Sequence, residues 1–179
     1  MLSCSRLPLS SENIKIHSLS FGNALESALR LAEYSIFISA FVLGFGGAGS
    51  ASQTRRIVDL LIYKYKHCRI DIRLALSYHS GRSRLGARSV HGFYYLSAHG
   101  IPFRFPALRR SLHAKMCIID AKKVFIGSHN LFDFSFNNPM ELTAEIDSID
   151  LGRKAADDFL TWWPCLVEAP FVDGVSWQS

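Results

Sequence analysis

Apolar residues recur along this chain with two different periods. Between Gly22 and Ala32 they fall at Ala24, Leu25, Ala28, Leu29 and Ala32, and between Ser52 and Lys66 at Ile57, Val58, Leu61 and Tyr65. This is the spacing of a helix with one face turned to a core. Ile149 to Trp163 repeats it with Leu151, Ala155, Phe159 and Trp163, after Asp147 or Ser148 as a capping residue. A further helix is predicted over Ser89 to His99. Between the helices, short β-branched and aromatic runs predict strands at Ile14–Leu19, Ser35–Leu43, Arg69–Leu76, Pro102–Phe105, Leu112–Ile119, Val124–Gly127 and Leu142–Ile146. Pro102 has no N–H to give to a ladder, so its strand is expected at a sheet edge. Asp120 to Lys123 reads as a turn between two strands, and Gly44–Ser50 and Ser77–Ala87 as loops. Strands alternating with helices predict an α/β fold: a mixed β-sheet sandwiched between helices on both faces, as a single domain over residues 1–179.

Composition narrows the class. Of the 179 residues, 49% are hydrophobic and 20% charged, which suits a folded globular protein and excludes a disordered or fibrous one. The longest apolar run, Ile36 to Gly49, is too short for a membrane span, so no integral membrane association is expected. The first residues carry one Arg and no continuous apolar stretch, so no secretory signal is expected either. Cys4, Cys68, Cys117 and Cys165 lie far apart without a C-x-x-C pair, which predicts neither a disulfide framework nor a zinc site, but reduced thiols in a cytoplasm. No Asp/Glu/His cluster has metal-ligand spacing, and no cofactor is expected.

Charge adds a direction. From Arg82 to Lys123 there are nine basic residues against one acid, a net +8 in a chain whose total is +5. Such an asymmetry favours a polyanionic partner, with Arg82, Arg84, Arg109 and Arg110 as candidate phosphate contacts. Phe93, Tyr94, Tyr95, Phe103 and Phe105 lie among these charges, placed either to stack on unpaired bases or to fill a core.

The chemistry concentrates in His113-Ala-Lys115-Met-Cys-Ile-Ile-Asp120 and, six residues later, Gly127-Ser128-His129-Asn130. On a strand, His113 and Lys115 point to one face while Ala114 and Met116 point to the other. Gly127 suits a close approach of backbone to a ligand, and Ser128 and Asn130 can donate hydrogen bonds to an anion. Six such residues coincide by chance in a chain of this length on the order of once in several hundred thousand.

Residues 113 to 130 match H-x-K-x-x-x-x-D-x-x-x-x-x-x-G-S-x-N at every specified position, and on these residues the chain resembles the phospholipase D superfamily. The resemblance implies a metal-independent phosphodiesterase in which His113 attacks phosphorus to form a covalent phosphohistidine. Lys115, Asn130 and Ser128 would stabilise charge on the non-bridging oxygens. Glu141, eleven residues past Asn130, would be the family's distal glutamate and accept the other ring N–H of His113, with Glu145 as the alternative. Asp120 belongs to the motif but is expected to pair near its turn rather than touch phosphate. A leaving oxygen also needs a general acid. This chain has no second H-x-K, since His17, His67, His79, His91 and His99 lack that company. Single-motif members meet the need by dimerising, so that a homodimer using His113 from both subunits is implied. The expected substrate is a nucleic acid, DNA or RNA. The alternative is a phospholipid of the cardiolipin type, to which Phe132, Phe134 and Phe136 could offer an apolar surface. A binding module with a dead site is disfavoured by the complete motif.

Overall fold

The computed structural model describes residues 13–44, 52–77, 84–107 and 112–168, with residues 84–88 described by backbone alone. Arg82, Arg109 and Arg110 lie outside the described residues, as does the side chain of Arg84. In chain order the elements are β1 (Ile14–His17), α1 (Phe21–Arg30), β2 (Ser35–Ala40), β3 (Leu43–Gly44), α2 (Gln53–Cys68), β4 (Asp71–Leu76), α3 (Arg84–Ala98), β5 (Phe103–Pro106), β6 (Met116–Ile119), β7 (Lys123–Gly127), β8 (Leu131–Phe132), α4 (Asp133–Phe136), β9 (Thr143–Asp147), α5 (Ile149–Trp162) and β10 (Leu166–Glu168). Eight strands form one sheet in the order β1-β9-β7-β6-β2-β4-β5-β10, and β3 pairs with β8 beside it. β2, β4 and β5 run parallel, while β6, β7, β9 and β1 continue antiparallel, so the sheet is mixed as expected.

The central strands are apolar on both sides because each side meets helices. Ile36, Ile38, Ile72, Leu74, Cys117, Ile119 and Phe125 join α1, α2 and α3 in one core. Phe37, Ala75, Ile118 and Val124 join Ala156 and Phe159 of α5 in the other. Among the described residues, no helix is long and apolar enough to cross a membrane.

The turn between β6 and β7 anchors this arrangement. Asp120 and Ala121 both adopt positive φ, 55° and 48°. In that geometry the Asp120 carboxylate accepts the backbone N–H groups of Glu33 at 3.0 Å, Tyr34 at 2.7 Å and Ser35 at 2.9 Å, which are the donors just before and at the start of β2. α5 rests on the same turn through Gly152, where a Cβ would lie 2.5 Å from the Ala121 carbonyl and the Lys122 nitrogen.

Three expectations need correction, and one open alternative is resolved. β5 is no edge strand, because β10 pairs antiparallel with it; three residues after the Trp163-Pro-Cys turn carry no periodic signal. α3 begins at Arg84, inside the predicted loop. On α5 the buried positions are Gly152, Ala156 and Phe159, and Leu151 is exposed, since only the glycine can meet the turn; Ser148 Oγ caps the helix by accepting from Leu151 N. Phe93, Phe103 and Phe105 pack against one another inside the core, which removes them as platforms for bases.

Asp120→Ala leaves three backbone donors without their acceptor, and Gly152→Ala forces backbone apart; each is expected to lower unfolding free energy by about 2 kcal/mol or more. Urea denaturation checks both, and a change below about 0.5 kcal/mol contradicts the anchoring role of the residue concerned.

Candidate active site

Because β6 runs antiparallel to β2 and β7, its start lies where they end, and the motif's two halves meet there. The strand expected from Leu112 begins only at Met116, so His113 and Lys115 occupy the segment before β6, while Ser128 and Asn130 follow β7 and Glu141 precedes β9. Gly127 N donates to Lys115 O at 3.2 Å and joins the two halves. Gly127 is needed for a contact with backbone rather than with a ligand: a Cβ there would lie 2.2 Å from Leu142 O and 2.5 Å from Thr143 Cα.

His113 is exposed, and its ring makes no hydrogen bond with the described residues. It lies 5.1 Å from the Phe41 ring, at 59° to it. Lys115 Nζ sits 5.3 Å from the centre of the same ring and donates to His113 O at 2.8 Å. Burial holds the Lys115 ammonium below the usual lysine range, while the negative charge of Glu141 acts in the opposite sense. A partly desolvated cation of this kind attracts an anionic oxygen more strongly than a hydrated one.

Asn130 works in two directions. Its Oδ1 accepts from Phe41 N at 3.1 Å and Val42 N at 3.0 Å, which pins the turn after β2 and places Phe41 under His113 and Lys115. With the carbonyl so used, the amide NH2 retains its donors. Ser128 is tied to β9: its Oγ accepts from Leu142 N at 3.0 Å and lies 3.4 Å from Leu142 O.

Glu141 accepts from Ser135 Oγ at 2.8 Å, and Ser135 Oγ in turn accepts from Asn130 N at 2.9 Å. No hydrogen bond joins Glu141 to His113 among the described residues; its charge acts on Lys115 instead. Glu145 lies elsewhere, paired with His17 at 2.8 Å and Lys123 at 2.7 Å. Burial would raise that carboxyl, but the bonds from Lys123 and His17 outweigh it and hold it below the usual range. Asp120 sits at the far end of β6, occupied by its three N–H groups.

Phe41 and Ser135 escaped the sequence reading. Neither belongs to the motif, and only the fold brings them beneath it. The basic segment also divides in space. Arg104 pairs with Glu168, and Lys122 and Lys123 lie at the turn beyond β6, away from His113. Among the described residues, no three His, Cys, Asp or Glu side chains gather as a metal site.

Comparison with known proteins extends the match. No curated protein is matched by the chain. In fold, it is similar to Nuc of Salmonella typhimurium, a phospholipase D family member, at a TM-score of 0.71 and 19% identity over 87% of this chain and 97% of that one. NucT from Helicobacter pylori gives 0.66 and 20%, covering 87% and 98%. Phosphatidylserine synthase of Haemophilus influenzae Rd KW20 gives 0.72 and 14%, covering 95% of this chain and 42% of that one. A family model described as "Cardiolipin synthase, PLD-like domain" matches residues 25–163, most of the chain and the whole candidate site. With the complete motif in sequence and His113, Lys115, Ser128 and Asn130 brought to one end of a sheet of this architecture, the chain belongs to the phospholipase D superfamily of phosphodiester-acting enzymes.

Proposed function

We propose that the protein hydrolyses the phosphodiester backbone of a nucleic acid through a phosphohistidine at His113, without a metal ion, in a homodimer that combines two copies of the motif. The observation that carries this reading is the meeting of His113, Lys115, Asn130 and Glu141 at one end of the sheet, with the His113 ring free of hydrogen bonds to the described residues. A ring nitrogen of His113 attacks phosphorus, a P–N bond forms and the P–O bond to the leaving group breaks. The leaving oxygen takes a proton from His113 of the second copy. That same histidine then deprotonates the water that releases the phosphoryl group. Lys115 and the Asn130 amide stabilise the non-bridging oxygens, and Glu141 favours the charged state of Lys115.

The preference for nucleic acid rests on charge near the nucleophile. Arg109 and Arg110 stand four and three residues before His113 in the chain, and Arg82 and Arg84 follow the end of β4 by six and eight residues. A polymer of regularly spaced phosphates engages several such groups at once and releases counterions. The lipid reading keeps one supporting observation: Phe134 and Met140 are 72% and 90% exposed beside the motif, although Phe132 and Phe136 are buried.

His113→Ala is expected to abolish turnover of a chromogenic phosphodiester with the fold intact. Asn130→Asp keeps the bonds from Phe41 and Val42 but loses the donors, so it should lose about a hundredfold or more, as should Lys115→Ala. Activity should persist in a chelator; recovery only on adding a divalent ion contradicts the mechanism. Light scattering should report about twice the chain mass. A fully active monomer at high dilution would mean that another residue is the acid. Nucleic-acid binding should weaken steeply with salt and on charge reversal of Arg109 and Arg110. Salt-indifferent binding, together with hydrolysis of anionic liposomes, replaces the nucleic-acid substrate with a lipid.

A further inference from the structure

Of the four residues Gly127–Asn130, His129 is turned inward. It is 4% exposed, and its ring stacks on Phe21 of α1 with centroids 4.5 Å apart and planes 27° from parallel. Nδ1 lies 2.8 Å from Thr143 Oγ1. Nε2 is buried with no partner at hydrogen-bond distance among the described residues, and the Ser18 backbone favours the protonated ring. With Nδ1 engaged by the Thr143 hydroxyl, the tautomer we assign carries its proton on Nε2, so that Nδ1 accepts from Thr143. The cavity between this ring and Phe21, Phe125, Leu131, Lys115 and Thr143 is only about 20 Å³, too small for the imidazole to swing to another partner.

The bond from His129 to Thr143 joins two segments that the chemistry needs in register. His129 stands between Ser128 and Asn130, and Thr143 follows Glu141 by two residues. The neighbouring tie between Ser128 Oγ and Leu142 N is exposed, so water competes for it, whereas the bond at His129 is buried. We propose that His129 is a positioning residue: as a neutral imidazole bonded to Thr143, it holds the Ser128–Asn130 loop against the start of β9 and so sets Asn130 and Glu141 relative to Lys115. This rests on the reading of those three residues as parts of one phosphodiester site.

On balance the surroundings disfavour the charged ring. Burial lowers its proton affinity most, and His17 on β1 acts in the same sense; Glu141 and the Ser18 backbone oppose them, and Lys115 lines the same cavity. Protonation would turn Nδ1 from acceptor to donor and displace the Thr143 hydroxyl proton.

The test compares wild type, His129→Leu, His129→Asn, Thr143→Val and the double variant His129→Leu/Thr143→Val on a chromogenic phosphodiester. Ring-nitrogen NMR of the wild type is recorded alongside, from about pH 5 to about pH 8. Expected are a kcat about tenfold lower in His129→Leu and Thr143→Val with KM changed less than about twofold, no further loss in the double variant, and partial recovery in His129→Asn, whose amide oxygen restores an acceptor for the Thr143 hydroxyl. The NMR should show the Nε2–H tautomer throughout the neutral range. Thr143→Val is nearly isosteric and keeps the test open if His129→Leu fails to fold. Wild-type kcat in the single variants, losses that multiply in the double variant, or an Nδ1–H tautomer overturns the proposal. An inactive wild type overturns the proposed function instead, and the tautomer alone then decides the role of His129.

Discussion

The central strands are buried on both faces, and this constraint places everything polar. β2, β4, β6 and β7 pass between two cores, so a charged side chain in mid-strand would lose its hydration without a partner. Polar chemistry is driven to the strand ends, where helices no longer cover the sheet. Asp120 closes one end of β6, taking three backbone donors that β2 would otherwise leave open. His113 and Lys115 open the other. The span from His113 to Asp120 is therefore a four-residue strand flanked on one side by a polar residue for architecture and on the other by the candidate polar chemistry.

Architecture and chemistry are less separable at the open end. Asn130 binds the turn after β2 with its carbonyl and keeps its amide for an anion, so an alanine there removes a fold contact and a donor together. Ser135 links the Asn130 backbone to the Glu141 carboxylate and is itself buried. Rigidity at this end comes from such shared contacts, and preorganised donors lose less by reorganisation when charge develops on a phosphate.

What was legible in the sequence follows the same division. Long periodic segments, α1, α2 and the core of β2, carry their burial pattern in their own residues and lie within a few positions of where that pattern puts them. β10 is invisible in the sequence because it owes its existence to pairing with β5, and the inward face of α5 is misleading because Gly152, without a side chain, gives no hydrophobic signal. The motif residues are visible by identity and spacing. Phe41, Ser135 and the inward turn of His129 are not, because each acquires its place only when β2, α1 and β9 converge on the loop. The nine basic residues are legible as a count but not as a surface, since Arg104, Lys122 and Lys123 have acidic partners or stand at the wrong end of the sheet.

That division bears on how a substrate would be held. Net charge over a segment raises local anion concentration only where the charges share a surface, and screening limits their reach to about 10 Å at ordinary ionic strength. Lys123, engaged by Glu145 and Asp147, contributes little field at His113 from beyond a full strand. Of the basic residues from Arg82 to Lys123 whose side chains are described, Lys115 is the one that stands beside His113, with Glu141 favouring its charge. On the proposed reading, a single phosphate would be met by Lys115 and Asn130, whereas a polymer would bring further phosphates to the basic residues that neighbour the motif in the chain. On that reading, a small phosphodiester and a polymer would differ in their use of the basic residues beside the motif rather than in their response to the total charge of the chain.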